Sequence, residues 1–294
     1  MNYLNQPTSR PYLLFWLSIP LLLVWFAASY LLGVARQPVW QDRDTQTGGQ
    51  VLAAKDQKVI APIMNPQKDF TWQGTGLVSF WFDDGWLTQY TVAAPILKAN
   101  NYPGAVAITT DLVGYEAYMS WGQVKRLYHY YQWDVTAHSR THNCDATTLT
   151  PESIQAEIDG SLKDLVNQGI DVDTYVLPCG VQAPEVINHV KQTYVAMRDS
   201  GSVLNPLPVT DPYALHAFTI HDNVSLAQIE TWLKQAAAEK SWLILMLHQI
   251  DNSGGEYGLK PETFQAIVDL VKHSGLPVIG PATGLKITSL SPSP

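Results

Sequence analysis

Past residue 75 the chain alternates short apolar runs with longer amphipathic stretches, and no other feature of the sequence restricts the fold as strongly. Strand-length runs separated by helix-length stretches of 3.6-residue period specify a mainly parallel sheet covered by helices. The spacing predicts strands over Leu77–Phe82, Ala105–Thr109, Asp134–His138, Tyr175–Leu177, Tyr194–Met197, Ala217–His221, Trp242–Leu247 and Pro277–Ile279. Helices are expected between them, over Thr88–Ala99, Trp121–Tyr131, Pro151–Gln168, Ala183–Gln192, Leu226–Ala238 and Pro261–Ser274. The third is marked at both ends: Thr150 is placed to cap it, Pro151 takes its first position, and Gly169 lies beyond its last turn. No internal repeat is present.

The alternating region does not begin at the amino terminus. Pro11 to Ala35 is an uncharged stretch of 25 residues between Arg10 and Arg36. At about 1.5 Å per residue it is long enough to cross a ~30 Å hydrocarbon core as a single helix. Tyr12, Trp16 and Tyr30 suit the two interfaces, and Pro20 should kink the helix. A cleaved signal peptide is the competing reading, since Gly33-Val34-Ala35 supplies small residues for a peptidase, although its apolar core is usually only ~7–15 residues. The flanking charges are too balanced to set orientation. Residues 36–75 are polar and punctuated by Gly, Gln and Pro, as in a linker or stalk. The expected organisation is therefore a short segment 1–10, an anchor 11–35, a linker 36–75, a folded domain 76–288 and a frayed tail 289–294. With 18 Lys+Arg against 26 Asp+Glu and no basic run, binding to nucleic acid is excluded.

Chemistry gathers at the predicted strand ends, where α/β proteins build their sites. Phe82-Asp83-Asp84-Gly85 puts two adjacent carboxylates at the end of the first strand. Such a pair repels unless a cation or proton compensates, and the plain alternative is a solvated Asp-Gly turn. His138-Ser139-Arg140-Thr141-His142 sets two imidazoles four residues apart, which on one helical turn would share a face. A zincin would carry Glu after the first His; Ser139 stands there, so the carboxylates must come from elsewhere. Two histidines and one carboxylate make a common open zinc set, with the second carboxylate left as a base. His248 closes the apolar run Leu245-Met246-Leu247, and Leu177-Pro178-Cys179-Gly180 runs from a strand into a turn that exposes backbone N–H groups. Taken singly, each is as readily a packed histidine or an ordinary turn.

In this order and at these intervals the motifs resemble those of the polysaccharide deacetylase domain (NodB homology, carbohydrate esterase family 4), over about residues 76 to 285. Ser120-Trp121-Gly122-Gln123-Val124 and Glu157 add to the likeness. The resemblance implies a distorted (β/α) barrel of about seven strands and a zinc-type deacetylase of N-acetylated sugars. It implies that Asp84, His138 and His142 hold a divalent metal, zinc in most such sites, with Asp83 as general base and His248 as general acid. The backbone N–H of Cys179 would serve the oxyanion. Two departures stand out. An Arg that orients the base in many members is Val176 here, as in members acting on extracellular poly-N-acetylglucosamine; Arg198 is a candidate replacement, against a plain surface arginine. The motif's usual aromatic is Cys179. Asp222 is a candidate partner for His248, against a turn acid, and Trp86 is the aromatic expected to face substrate. The only two cysteines, Cys144 and Cys179, fall near one rim and are a candidate disulfide. The function expected is a single-pass enzyme acting on an extracytoplasmic polysaccharide, or a secreted one if the leader is cleaved. The alternatives are action on peptidoglycan or O-acetyl esters, and an inactive glycan-binding domain.

Overall fold

The computed structural model describes residues 70–287. The segments expected at residues 1–10 and 11–35, nearly all of the linker and the tail from 289 lie outside them. Among the described residues no helix is long and apolar enough to cross a membrane.

The strands are β1 (Leu77–Phe82), β2 (Ala105–Ile108), β3 (Asp134–Ala137), β4 (Thr174–Val176), β5 (Ala196–Asp199), β6 (Leu215–His216), β7 (Phe218–Thr219) and β8 (Trp242–Leu247). They pair in parallel in the order β6-β5-β4-β3-β2-β1-β8-β7. β6 and β7 stand at opposite edges of that order, yet they are successive halves of one run separated only by Ala217. Leu215 and His216 pair with β5, and Phe218 and Thr219 pair with β8. The run therefore joins the two edges and curls the sheet into a near-barrel, in which eight paired strands make about seven staves. This is why the single strand expected at Ala217–His221 appears instead as two short ones. Asn205 helps to close the remaining gap: its backbone pairs with Trp242 in both directions, at 3.0 and 2.8 Å, and its side chain accepts from His216 N at 2.8 Å.

The connecting helices are α1 (Ala94–Ala99), α2 (Trp121–Arg126), α3 (Pro151–Asn167), α4 (Pro184–Thr193), α5 (Leu226–Glu239), α6 (Pro261–Ser274) and α7 (Pro281–Leu285). A π-helical turn, Gln89–Ala93, leads into α1, and another, Leu127–Tyr131, continues α2. Ser120, Thr150 and Ser225 each close a reciprocal cap on the third helical residue of α2, α3 and α5. The strand expected at Pro277–Ile279 reduces to a single bridge between Val278 and Val78.

Alternation along the strands sorts the core into two layers. Leu77 and Trp81 of β1, Ala105, Ala107, Val176, Leu215, Trp242, Ile244 and Met246 fill the inside of the curled sheet. Val78, Phe80 and Phe82 face the helices with Ile108, Phe264 and Ile267. Ahead of β1, Trp72 is buried and Phe70 half-buried against the inner layer, so the packed chain starts before residue 76.

Asp134, the first residue of β3, is buried at the end of that strand away from the mouth. Ala282 N donates to its Oδ2 at 2.8 Å, and Gly280 leaves it room, since a Cβ there would lie 2.5 Å from the same oxygen. Burial pushes its carboxyl up to about 7, against the lowering effect of the Ala282 bond. Between the ordinary 3.8 and about 7 the folded chain thus holds a proton that the unfolded chain releases. Stability from this source is complete at low pH and is lost as pH rises toward 7. Asp134→Asn should remove the slope: between pH 5 and pH 8, denaturant titrations should show wild type losing on the order of 2 kcal/mol more than the variant. Equal losses in the two proteins would refute the assignment.

Candidate active site and metal centre

The motif-bearing strand ends open at one rim. Inward alternation along β1 carries on to Asp83, along β3 to His138, along β5 to Arg198 and along β8 to His248, so these side chains converge inside the C-terminal mouth. Asp84, one residue beyond the inward position, reaches the same place by a left-handed backbone (φ 78), followed by Gly85 at φ 87.

The second histidine is not brought in by a helix. The turn expected to put His138 and His142 on one helical face is replaced by a loop in which Ser139 (φ 62) and His142 (φ 61) are both left-handed. The loop doubles back until the imidazole centroids are 4.8 Å apart. Ser139 Oγ accepts from His142 N at 3.0 Å. Glu157 of α3 accepts from the backbone N–H groups of Arg140 and Thr141 at 2.9 and 2.8 Å, and from the Thr141 hydroxyl at 2.6 Å.

Proton placement then follows from the partners. His138 Nδ1 lies 2.9 Å from the Val176 carbonyl, which can only accept, so Nδ1 carries the hydrogen and Nε2 presents a lone pair. His142 Nδ1 lies 3.5 Å from Cys144 Sγ, a disulfide sulfur that can only accept, so the tautomer with its hydrogen on Nδ1 satisfies that contact and leaves Nε2 as the lone-pair atom. Both Nε2 atoms face Asp84 Oδ1, at 3.4 and 3.3 Å. That oxygen is buried with no hydrogen-bond partner, while Trp86 Nε1 donates to Oδ2 at 2.8 Å. With both rings neutral, three lone pairs meet at one point, an arrangement that a cation would satisfy. The donor set fits a divalent metal, with one ligand atom from each residue and all three within 4.8 Å of one another. Without the metal, burial opposes ionisation of Asp84, but the two imidazoles outweigh it and hold the carboxyl far below its usual range. Burial likewise pulls the His142 imidazole down, and Asp84 more than restores it, raising it above its ordinary value.

The other aspartate is held differently. Arg198 is 1% exposed, and its Nη2 donates to Asp83 Oδ1 in a close ion pair within the barrel. The guanidinium also lies 5.0 Å from the Trp81 ring centroid. Arg198 is therefore a buried partner of the base candidate and not a surface residue. Gln89 of the π-helical turn donates to the Asp83 and His248 carbonyls, at 2.5 and 3.2 Å, and ties the ends of β1 and β8 together.

His248 closes β8 on the other side of the mouth. Its Nδ1 is buried with no hydrogen-bond partner, and Asp222 is exposed, so the pairing expected between them is not formed. Asp222 lies on the turn before α5, three residues past the last β7 pairing, where it stays in solvent. Burial holds the His248 imidazole below its ordinary value, against the pull of Asp83 and Asp84. Tyr257 packs on it instead, with centroids 4.9 Å apart, and also on His221 at 5.1 Å. Trp86 stacks on Tyr118 at 4.3 Å and spends its N–H on Asp84, so it supports the carboxylate directly. Cys179 sits in a turn after β4 with φ 52, followed by Gly180 at φ 65, and is bonded to Cys144 with Cα atoms 5.6 Å apart. The bridge fastens the metal-histidine loop to that turn.

Gln89 and Tyr257 were not singled out from sequence. A glutamine two residues into a helix-like stretch and a tyrosine in a glycine-rich loop carry no periodic signal; only the strand pairing shows what they reach.

The resemblance read from the motifs is borne out. A family model described as polysaccharide deacetylase matches residues 73–197. Among solved structures, the Xyl-CE4 domain of a multidomain xylanase from the hindgut metagenome of Trinervitermes trinervoides aligns at 16% identity. It covers 72% of this chain and 90% of its own, with a TM-score of 0.53. A deacetylase determined with substrate aligns at 16% identity over 74% of this chain and 94% of its own, TM-score 0.52. At these identities the structures speak for the fold. No curated protein matches the chain.

Two measurements check the centre. Full-length protein stripped by a chelator should take up about one equivalent of zinc or cobalt, and His142→Ala should lose it with circular dichroism unchanged; full retention would refute the ligand set. Arg198→Met should destabilise by about 3–5 kcal/mol, because it strands the buried Asp83 charge, and adding Asp83→Asn should recover part of that loss. Additive effects of the two changes would mean the pair is not coupled.

Proposed function

We propose that this chain is a polysaccharide deacetylase that hydrolyses the N-acetyl groups of an N-acetylglucosamine-type envelope or extracellular polysaccharide. The observation that carries the reading is the convergence of one ligand atom each from Asp84, His138 and His142 within 4.8 Å of one another, flanked by a carboxylate paired with arginine and by a histidine across the mouth. Asp84, His138 and His142 would hold a divalent ion, zinc in this reading, which would supply a water of pKa near ~7 and polarise the acetyl carbonyl when bound. Asp83, oriented by Arg198, accepts the proton that water loses. The Cys179 N–H donates to the oxyanion as the carbonyl carbon becomes tetrahedral. His248 delivers a proton to the departing sugar nitrogen, and acetate and a free amine leave. Burial lowers the His248 imidazole, and the two aspartates work against that, favouring the imidazolium form, protonated from solvent, that the acid step consumes.

In this reading residues 11–35 anchor the enzyme and hold residues 76–288 on the extracytoplasmic side, where the glycan lies. A disulfide at the mouth suits an oxidising compartment.

The test is amine release from N-acetylglucosamine oligomers and from peptidoglycan, with acetate release from an O-acetylated xylan as the third arm, using detergent-solubilised full chain with and without zinc after chelation. Amine from the oligomers alone supports the proposal, whereas acetate from the ester alone would replace it with an esterase. Asp83→Asn should keep the metal and lose ~10²–10⁴-fold in activity. Loss of metal in Asp83→Asn with retention in Asp84→Asn would reverse the two roles.

A further inference from the structure

The last two residues of β5 face opposite ways. Arg198 points into the barrel at Asp83, and Asp199 points out toward the turn that carries Cys179. The Asp199 side chain is 7% exposed and accepts from three donors. Gln182 Nε2 bonds its Oδ2 closely, while Gly201 N at 2.9 Å and His216 Nδ1 at 2.5 Å share its Oδ1. A carboxylate can only accept, so His216 carries its hydrogen on Nδ1. His216 is itself fixed, through its backbone N–H and carbonyl, by the Asn205 side chain that helps close the barrel. The cluster is therefore anchored to the frame and is not a loose surface pair.

Gln182 lies three residues after Cys179. Between them the chain passes through two left-handed residues, Cys179 at φ 52 and Gly180 at φ 65, held locally by bonds of 3.3 Å (Gly180 N to Leu177 O) and 3.0 Å (Val181 N to Pro178 O). A left-handed cysteine costs roughly 1–2 kcal/mol, so such a turn keeps its shape only when its surroundings hold it. On one flank the disulfide to Cys144 does so. On the other, Gly180 lies against the chain after β5, where a Cβ would come 2.9 Å from Ser200 Oγ, and Gln182 reaches Asp199.

We infer that Asp199, acting through Gln182, is a positioning residue for the oxyanion-bearing turn. The inference rests on the deacetylase reading above. One strand would then brace both halves of the reaction: Arg198 sets the base from inside, and Asp199 sets the oxyanion donor from outside. A donor displaced by about 1 Å from where the oxyanion forms loses rate and not substrate binding, since its bond matters most in the transition state.

Gln182 is exposed apart from the amide it gives to Asp199, so its replacement should scarcely affect stability. On the amide substrate, full-length Gln182→Leu should lower kcat about 10-fold or more with KM within about twofold. Its metal content, its disulfide and its melting temperature should stay at wild-type values. Asp199→Ala should lower kcat at least as far. Wild-type kcat in both variants, a lowered melting temperature with kcat unchanged, or a rise in KM in place of the fall in kcat would each overturn the positioning role and leave the deacetylase reading standing. If wild type releases no amine, the reading fails and this inference falls with it.

Discussion

The organisation of this protein depends on one constraint, the two-residue period of strands in a sheet that curls until its edges meet. A closed or nearly closed parallel sheet has an inside, and alternate residues of every stave must fill it. Leu77, Ser79 and Trp81 do so along β1, and the next inward position is Asp83. Trp242, Ile244 and Met246 do so along β8, and the next is His248. Apolar side chains close the interior below, and the same parity one step beyond the last pairing delivers polar groups at the mouth. The base and acid candidates thus face one another because each sits an even number of residues from a packed core position. A one-residue slip in either strand would turn its group outward to the helices.

The metal ligands need more than parity, because Asp84 follows the inward Asp83 directly and His142 lies beyond the strand end. Both are placed by left-handed backbone, as is Cys179 on the neighbouring turn, with φ values of 78, 61 and 52. Each non-glycine residue held so costs roughly 1–2 kcal/mol, and the surroundings supply the restraint. Glu157 takes up two backbone N–H groups of the histidine loop, Trp86 holds one oxygen of Asp84, and the Cys144–Cys179 bridge joins the two turns. A disulfide between residues 35 apart gains ~3–4 kcal/mol from the unfolded state on the loop-entropy account, comparable to the strain it helps contain.

These two levels differ in how far they can be read from sequence. The strands Leu77–Phe82 and Trp242–Leu247 and the helix Pro261–Ser274 were legible because local signals, apolar runs and a proline start, match what the fold does with them. Asp83, Asp84, His138 and His142 were legible as a cluster because they sit at strand ends. The helical geometry read into the His-x-x-x-His spacing was not the real one: spacing says nothing of φ, and a loop with two left-handed residues can bring i and i+4 together as well as a helix can. Asp222 was misjudged because nearness in sequence to a strand end does not say which way a turn leaves it. The burial of Arg198 was undecided in sequence, since a charged residue inside a sheet shows its partner only when the register is known.

That register accounts for the departure at Val176. Arg198 of β5 lies directly opposite Val176 of β4, and both face the interior. An arginine expected on one stave has been replaced by one on the next, at the same height above the barrel floor, and its longer lateral reach to Asp83 is within the span of the side chain. What reaches Asp83 is a buried guanidinium at that level, supplied here by β5. One residue of β5 follows this arginine. Asp199 is that residue. Its carboxylate is bound to Gly201, His216 and Gln182 on the outer face, so β5 ends tied on the face opposite the one from which Arg198 reaches Asp83.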